Sequence, residues 1–233
     1  LGAIAMESLR RPHCCFGETV LVCGAGLLGL LITQLAAVAG IYVVAMDLDA
    51  QRLTLASQNG ASFVVGAASP ATVDEVRRRT GGWGVDAAIV AAAAETSDLV
   101  NAALDCLRVA GRLVALGAFG MDLDRERFFR AQATFVPSMA YGPGRYDPVY
   151  EENNLDYPIG AVRWTENRNM AHFLRLLEEG RIDLARIPTS RVLLQDAPTA
   201  YPTIGQAGCP LTAVLSYGEE QVSGLGGPGG AAT

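Results

Sequence analysis

Thr19-Val-Leu-Val-Cys-Gly24-Ala-Gly26-Leu-Leu-Gly29 decides the fold. Thr19 to Cys23 is a short uncharged run rich in β-branched residues, as a strand buried on both faces requires. The glycine-rich turn follows at once, and a helical pattern then runs to Ala39, where Gly40 ends it. Tyr42 to Met46 reads as a second strand, and Asp49 as the cap of a helix over 50–58 closed by Asn59-Gly60. Phe63 to Val65 reads as a third strand, and Ser69-Pro70 as the cap and first residue of a helix ending near Thr80.

The pattern then repeats. Asp86 to Ala92 reads as a strand, Ser97 to Val109 as an amphipathic helix, Arg112 to Gly117 as a strand and Thr134 to Met139 as the sixth. Apolar strands alternating with amphipathic helices give an α/β fold, a doubly wound parallel sheet of the Rossmann type covered on both faces. Residues 1–185 form this domain on the sequence reading. Within it, 141–166 is a long polar and aromatic loop ahead of a helix from about Asn167 to Glu179. A segment over 186–217 follows, and the glycine-rich 218–233 reads as a flexible tail or linker. If Thr134–Met139 lies at the sheet edge, it can pair with a second copy about a two-fold axis, giving a homodimer.

Composition excludes several functions. Half of the 233 residues are apolar, enough for a full core. A net charge of −6 argues against nucleic acid as partner. No run reaches the roughly 18 apolar residues of a membrane span, and Gly24, Gly26, Gly29 and Gly40 punctuate the nearest candidate. All 18 basic residues are arginine, so chemistries that need a lysine amine are absent. Cys14, Cys15, Cys23, Cys106 and Cys209 show no Cys-x-x-Cys spacing and read as reduced and cytoplasmic. With only His13 and His172 as histidines, no metal site is expected within this sequence.

The turn carries the expected chemistry. Gly24 permits the tight turn, Gly26 lets backbone approach a pyrophosphate, Gly29 lets the helix close on the sheet, and the Leu27 and Leu28 amides face the anion. Asp47, 18 residues after Gly29, ends the second strand, where a carboxylate accepts from ribose hydroxyls and repels a 2′-phosphate. NAD is therefore the expected cofactor. Arg52 either reaches the same ribose or pairs with Asp47 or Asp49. Ala92 and Ala93, within Ala91–Ala94, and Leu116, Gly117 and Ala118 lie where the fourth and fifth strands end and leave room for the dinucleotide. No nucleophile, acid or base stands out. Tyr141, Arg145, Arg163 and Trp164 are candidates for a wall against a polar small-molecule substrate; packing within the loop or a dimer contact accounts for them about as well.

Glu18 to Gly29, followed by Met46-Asp-Leu-Asp-Ala-Gln-Arg52, resembles the cofactor domain of zinc-type alcohol dehydrogenases, the medium-chain dehydrogenase/reductase family, over about residues 1–217. Thr80–Asp86, Gly120–Asp122, Tyr141–Asp147 and Asp156–Arg168 resemble the dehydrogenase module of bacterial bi-domain oxidoreductases, which a second oxidoreductase module follows. The resemblance implies ribose contacts from Asp47 and Arg52, pyrophosphate contacts from Gly24–Gly29, and a nicotinamide beside Leu116–Ala118. It implies hydride transfer to or from a polar alcohol or sugar-like substrate. It also implies a catalytic domain ahead of Leu1, the only source of zinc ligands, with 186–217 as the remnant that returns to it. Thr212 stands where relatives often carry a basic residue, and Pro198 and Pro202 interrupt a segment that is a helix in relatives. A non-catalytic NAD(H)-binding sensor or regulatory module is the alternative reading.

Overall fold

The computed structural model describes residues 1–203 and 210–217. It divides into a unit over Leu1–Arg186 and a second from Ile187 onward. The first unit opens with α1 (Gly2–Arg10), then β1 (Thr19–Cys23), α2 (Leu27–Val38), β2 (Tyr42–Met46), α3 (Ala50–Gln58), β3 (Phe63–Val65) and α4 (Pro70–Arg79). Its second half holds β4 (Val85–Val90), α5 (Asp98–Cys106), β5 (Leu107–Ala115), α6 (Arg125–Ala131), β6 (Thr134–Pro137), the one-turn α7 (Pro148–Glu151) and α8 (Glu166–Glu178).

All six strands are parallel, in the order β3-β2-β1-β4-β5-β6. The chain reverses its winding between β1 and β4, and the crevice of a doubly wound sheet opens at such a point. Alternation along the strands divides the core. Leu21, Cys23, Val44, Met46, Ala88 and Val90 join Val76 of α4 and Val100, Ala103 and Leu104 of α5 in one buried cluster. Their strand neighbours face the other way by the two-residue period, where α2 packs on β1 and β2 and buries Leu30, Leu31, Ile32 and Leu35. Each such leucine or isoleucine contributes about 1.5–3 kcal/mol by leaving water.

The caps act as the sequence reading expects. Asp49 accepts from the Gln51 and Arg52 amides, and Ser69 from the Thr72 amide with Pro70 in the first turn. Gly40 turns the chain at φ +74°. The ends of several elements differ. The helix expected over 97–109 stops at Cys106, and Leu107–Val109 belong to β5, Leu107 pairing with Val85. Leu107 continues the apolar face of the helix and also suits the start of a strand, so periodicity alone cannot separate the two. The fourth strand stops at Val90 because the Ala91 and Ala92 amides both turn onto the Cys23 carbonyl, at 2.9 and 3.0 Å. The fifth stops at Ala115 and the sixth at Pro137, not at Gly117 and Met139. α1 and α6 were not expected from the pattern. β6 stands at the sheet edge.

Away from the crevice, Asp86 ties three strands together. It accepts from the Thr19 amide at 2.8 Å and from Arg108 at 2.6 Å, while Arg112 reaches Glu18 at 2.9 Å. The Gly-Val-Asp86 stretch is thus structural.

In the second unit β7 (Thr189–Leu193) and β8 (Thr212–Ser216) pair in parallel, with α9 (Ala197–Ala200) between them in sequence. Pro198 sits in the first turn of α9, and Tyr201–Thr203 continue as a 3-10 turn around Pro202, so the segment is broken into short pieces. Thr212 opens β8. Cys209 and the glycine-rich 218–233 lie outside the described residues.

Candidate functional site

A cleft of about 600 Å³ opens at the carboxyl end of the sheet, where β1 and β4 diverge. Gly24, Gly26, Asp47, Arg52, Ala92 and Ala93 all line it. Three of the sequence-expected glycines do different work. Gly24 has φ +102°, and a Cβ on it would stand 2.8 Å from the Ala92 Cβ and 2.9 Å from the Ala92 nitrogen. A Cβ on Gly29 would stand 1.8 Å from the Gly24 carbonyl oxygen. Both are therefore required by the fold itself. Gly26 is not: its φ is −75°, open to any residue, and among the described residues nothing lies within 4 Å of a Cβ built there.

Gly26 is also the N-cap of α2 and provides no side-chain cap. The first helical bond is Leu30 to the Gly26 carbonyl at 2.9 Å, so the Leu27 and Leu28 amides precede the ladder and point out of the helix start. An anion placed there meets those amides and the positive end of the helix dipole.

Asp47 is fixed by the same turn. One carboxylate oxygen accepts from the Ala25 amide at 2.7 Å and the other from the Asp49 amide at 2.9 Å. Each oxygen keeps a lone pair for a further donor such as a hydroxyl. Arg52 lies 3.9 Å from Asp49 by its Nε and also lines the cleft, so both readings of Arg52 retain a structural basis. The Leu116 and Gly117 amides bond to the Val90 carbonyl, and Ala94 donates to Ala118 at 2.9 Å, which sets this strand end beside the alanine turn. A Cβ on Gly117 would lie 2.1 Å from the Ala92 oxygen. Leu116–Ala118 are neighbours of the cleft's alanine wall and are not among its lining. Sequence reasoning passed over Ala67, Ala68, Thr96, Asp98 and Leu99, which do line it. Ala67 and Ala68 follow β3, so the rule about carboxyl ends of strands, extended to the third strand, finds them.

None of the four substrate-side candidates is among the residues that line this cleft. Arg145 is ion-paired with Glu151 and stacks 4.4 Å from the Tyr146 ring centroid and 5.5 Å from that of Tyr141. Arg163 stacks 3.9 Å from the Trp164 ring, and Trp164 lines a separate cleft. The loop folds back because Asn169 donates to the Tyr141 carbonyl at 2.9 Å and the Glu166 amide to the Pro143 carbonyl at 2.9 Å. Several of its polar groups are bonded within the loop, Arg145 to Glu151 and Tyr157 to Asp147, and others to the head of α8.

Asn169 is fully buried, and its Nδ2 lies 3.5 Å from Oε2 of Glu7, which is only 6% exposed. Burial pushes the Glu7 carboxyl above its ordinary value of 4.5, against the opposing pull of Arg11, Asn169, Arg10 and His13. A carboxyl raised in the folded state is harder to ionise there than in the unfolded chain. Its penalty is absent below the unfolded value and grows as pH rises through the folded one. Glu7→Gln should therefore melt at a higher temperature than wild type at pH 7.5, with the two curves meeting as pH falls toward 4.5. A less stable Gln variant at pH 7.5 would contradict this.

Among the described residues no group of three or more His, Cys, Asp or Glu side chains is arranged to hold a metal ion. Burial raises the thiols of Cys14 and Cys106 to about 12, so neither is a thiolate nucleophile near neutrality. Among the described residues no helix is long and apolar enough to cross a membrane.

A family model described as zinc-binding dehydrogenase matches residues 28–153, more than half of the chain. An alcohol dehydrogenase of Cupriavidus necator is 31% identical over 186 residues, covering 79% of this chain and 45% of that protein. A D-arabitol-phosphate dehydrogenase of Enterococcus avium is 30% identical over 200 residues, covering 84% and 49%. The chain spans about half the length of these curated relatives. Among solved structures, an alcohol dehydrogenase from Thermus sp. ATN1 superposes with a TM-score of 0.70 at 24% identity, over 92% of this chain and 57% of that one. That likeness supports the fold.

Proposed function

The chain belongs to the zinc-binding dehydrogenase family, and from that premise we propose that its cleft binds NAD(H) and that the protein is an oxidoreductase. The observation that carries the proposal is the open space at Gly26. The fold requires Gly24 and Gly29, whereas at Gly26 no described residue lies within 4 Å of where a Cβ would stand, which leaves room where a pyrophosphate meets the start of α2.

In this reading the Leu27 and Leu28 amides hold the pyrophosphate, and Asp47 accepts from the adenosine ribose hydroxyls with its own geometry fixed by the Ala25 and Asp49 amides. Arg52 flanks that ribose. The alanines of 91–94 give a low wall along which the rest of the cofactor extends toward Leu116–Ala118. The bound dinucleotide supplies the hydride chemistry; the residues of this chain bind and orient it. Among the described residues no cluster of His, Cys, Asp and Glu fits a zinc ion. A polar alcohol or sugar-like substrate is the class that the names of the matched relatives favour. Pairing through β6 at the sheet edge remains the route proposed to a dimer.

Asp47 gives the test of selectivity. Wild type should bind NADH more tightly than NADPH, because a 2′-phosphate would face a carboxylate. In Asp47→Asn NADH affinity should fall roughly tenfold or more, since a hydrogen bond to a charged group contributes about 1.5–3 kcal/mol, and the gap to NADPH should narrow. Equal binding of both dinucleotides to wild type and variant would remove Asp47 from the role.

A further inference from the structure

A second cleft, of about 580 Å³, lies within residues 1–186 and shares no lining residue with the first. It sits among α1, the carboxyl-terminal end of α2, and α8. The twelve residues of α2 put it about 18 Å from the Gly26 end, at 1.5 Å per residue. Met6, Leu35, Ile41 and Leu176 form a buried apolar floor. Trp164 lines the same cleft.

The charges around it are unbalanced. Arg10, Arg175 and Arg181 line the cleft against a single carboxylate, Glu179, in a chain whose net charge is −6. Glu179 is 3.5 Å from Arg175. Among the described residues no carboxylate oxygen lies within 4.0 Å of the Arg10 or Arg181 guanidinium. Arg10 is fixed in place: its guanidinium carbon is 3.5 Å from the centroid of the Trp164 ring, and its Nε donates to Asn169 at 2.9 Å. That leaves the terminal nitrogens of a held, half-buried fork, the geometry that recognises a carboxylate. Burial, helped by the nearby Arg163, lowers the Arg10 guanidinium to about 10 against the opposing pull of Glu7.

We propose that this cleft binds a small organic carboxylate with a hydrocarbon or aromatic body, the carboxylate on Arg10 and the body on Met6, Leu35, Ile41 and Trp164. The volume suits a small ligand. A multiply charged phosphate is disfavoured, because the floor is apolar and the negative carboxyl-terminal end of α2 opposes anionic charge in proportion to its size, while the one held guanidinium, Arg10, offsets a single charge. A monoanion meets one oriented guanidinium, and its body removes the floor from water.

The test titrates the 233-residue chain with octanoate and follows Trp164 fluorescence in a Trp83→Phe background, since Trp83 and Trp164 are the two tryptophans. Trp83 is 78% exposed, so its replacement leaves the core intact. Octanoate should produce a saturable change. Its affinity should fall at least tenfold in Arg10→Gln, 1-octanol should bind at least tenfold more weakly, and inorganic phosphate should have no effect. No saturation with octanoate, an equal response to octanol, or unchanged affinity in a folded Arg10→Gln would overturn the proposal. Should Arg10→Gln fail to fold, the exposed Arg181→Gln substitutes for it: a loss of threefold or more supports the site, and unchanged affinity overturns it. NADH binding in the same samples reports the first cleft separately.

Discussion

Gly29→Ala should unfold the first unit or lower its melting temperature by roughly 10 °C. The added Cβ would fall 1.8 Å from the Gly24 carbonyl oxygen and 2.9 Å from the Gly24 carbonyl carbon, so the obstacle is backbone, which no rotamer change relieves. The turn cannot back away. Gly24 already holds φ +102°, its amide donates to the Met46 carbonyl at 2.7 Å, and a Cβ on it would press on the Ala92 backbone. The remaining relief is to slide α2 off β1 and so expose Leu30, Ile32 and Leu35. Overpacking ordinarily costs about 1–3 kcal/mol where side chains can shift; with backbone on both sides the cost lies at or above the upper end. At roughly 2–4 °C per kcal/mol for a unit of this size, the effect is easily read by thermal melting. A variant that melts within 2 °C of wild type would mean that α2 and β1 are held apart more loosely than these contacts require.

Gly26→Ser should do the reverse, leaving the fold and removing the ligand. Serine is a favoured helix N-cap and glycine a tolerated one, so the helix start is unchanged or slightly firmer. The backbone at φ −75° accepts the side chain, and nothing within 4 Å opposes its Cβ. The same Cβ takes the space through which a pyrophosphate would approach the Leu27 and Leu28 amides. Loss of that approach should weaken NADH by at least tenfold while the melting temperature stays within about 2 °C, as expected for a substitution worth less than ~0.5 kcal/mol to the fold. The pair separates a glycine kept for packing from one kept for a ligand.

The sheet was legible because β1, β2, β3 and β6 are short uncharged runs and several helices carry their caps in the sequence: Asp49, Ser69 with Pro70, and Gly40 each act locally. What was illegible is non-local. Leu107 satisfies a helical face and a buried strand at once, and only its pairing with Val85 selects the strand. α1 carries no side-chain cap, and its burial depends on α2 and α8. The loop over 141–166 offered aromatic and cationic residues without saying what they touch. Its direction is set by Asn169, which sequence reading left aside because a single asparagine in a helix carries no pattern. For the site the limits are the same. Gly24, Gly26, Gly29 and Asp47 were legible from the motif, which already divides turn, approach and helix closure among the three glycines; the distances that a Cβ would meet at each come from the folded chain alone.

The most direct measurement is a calorimetric titration of NADH into wild type and Gly26→Ser, with both melting curves recorded on the same preparations. Saturable binding to wild type, weakened at least tenfold in a variant of unchanged stability, is the predicted result. Equal affinity in the two proteins, or no binding to a folded wild-type chain, would contradict the assignment of the space at Gly26 to a dinucleotide.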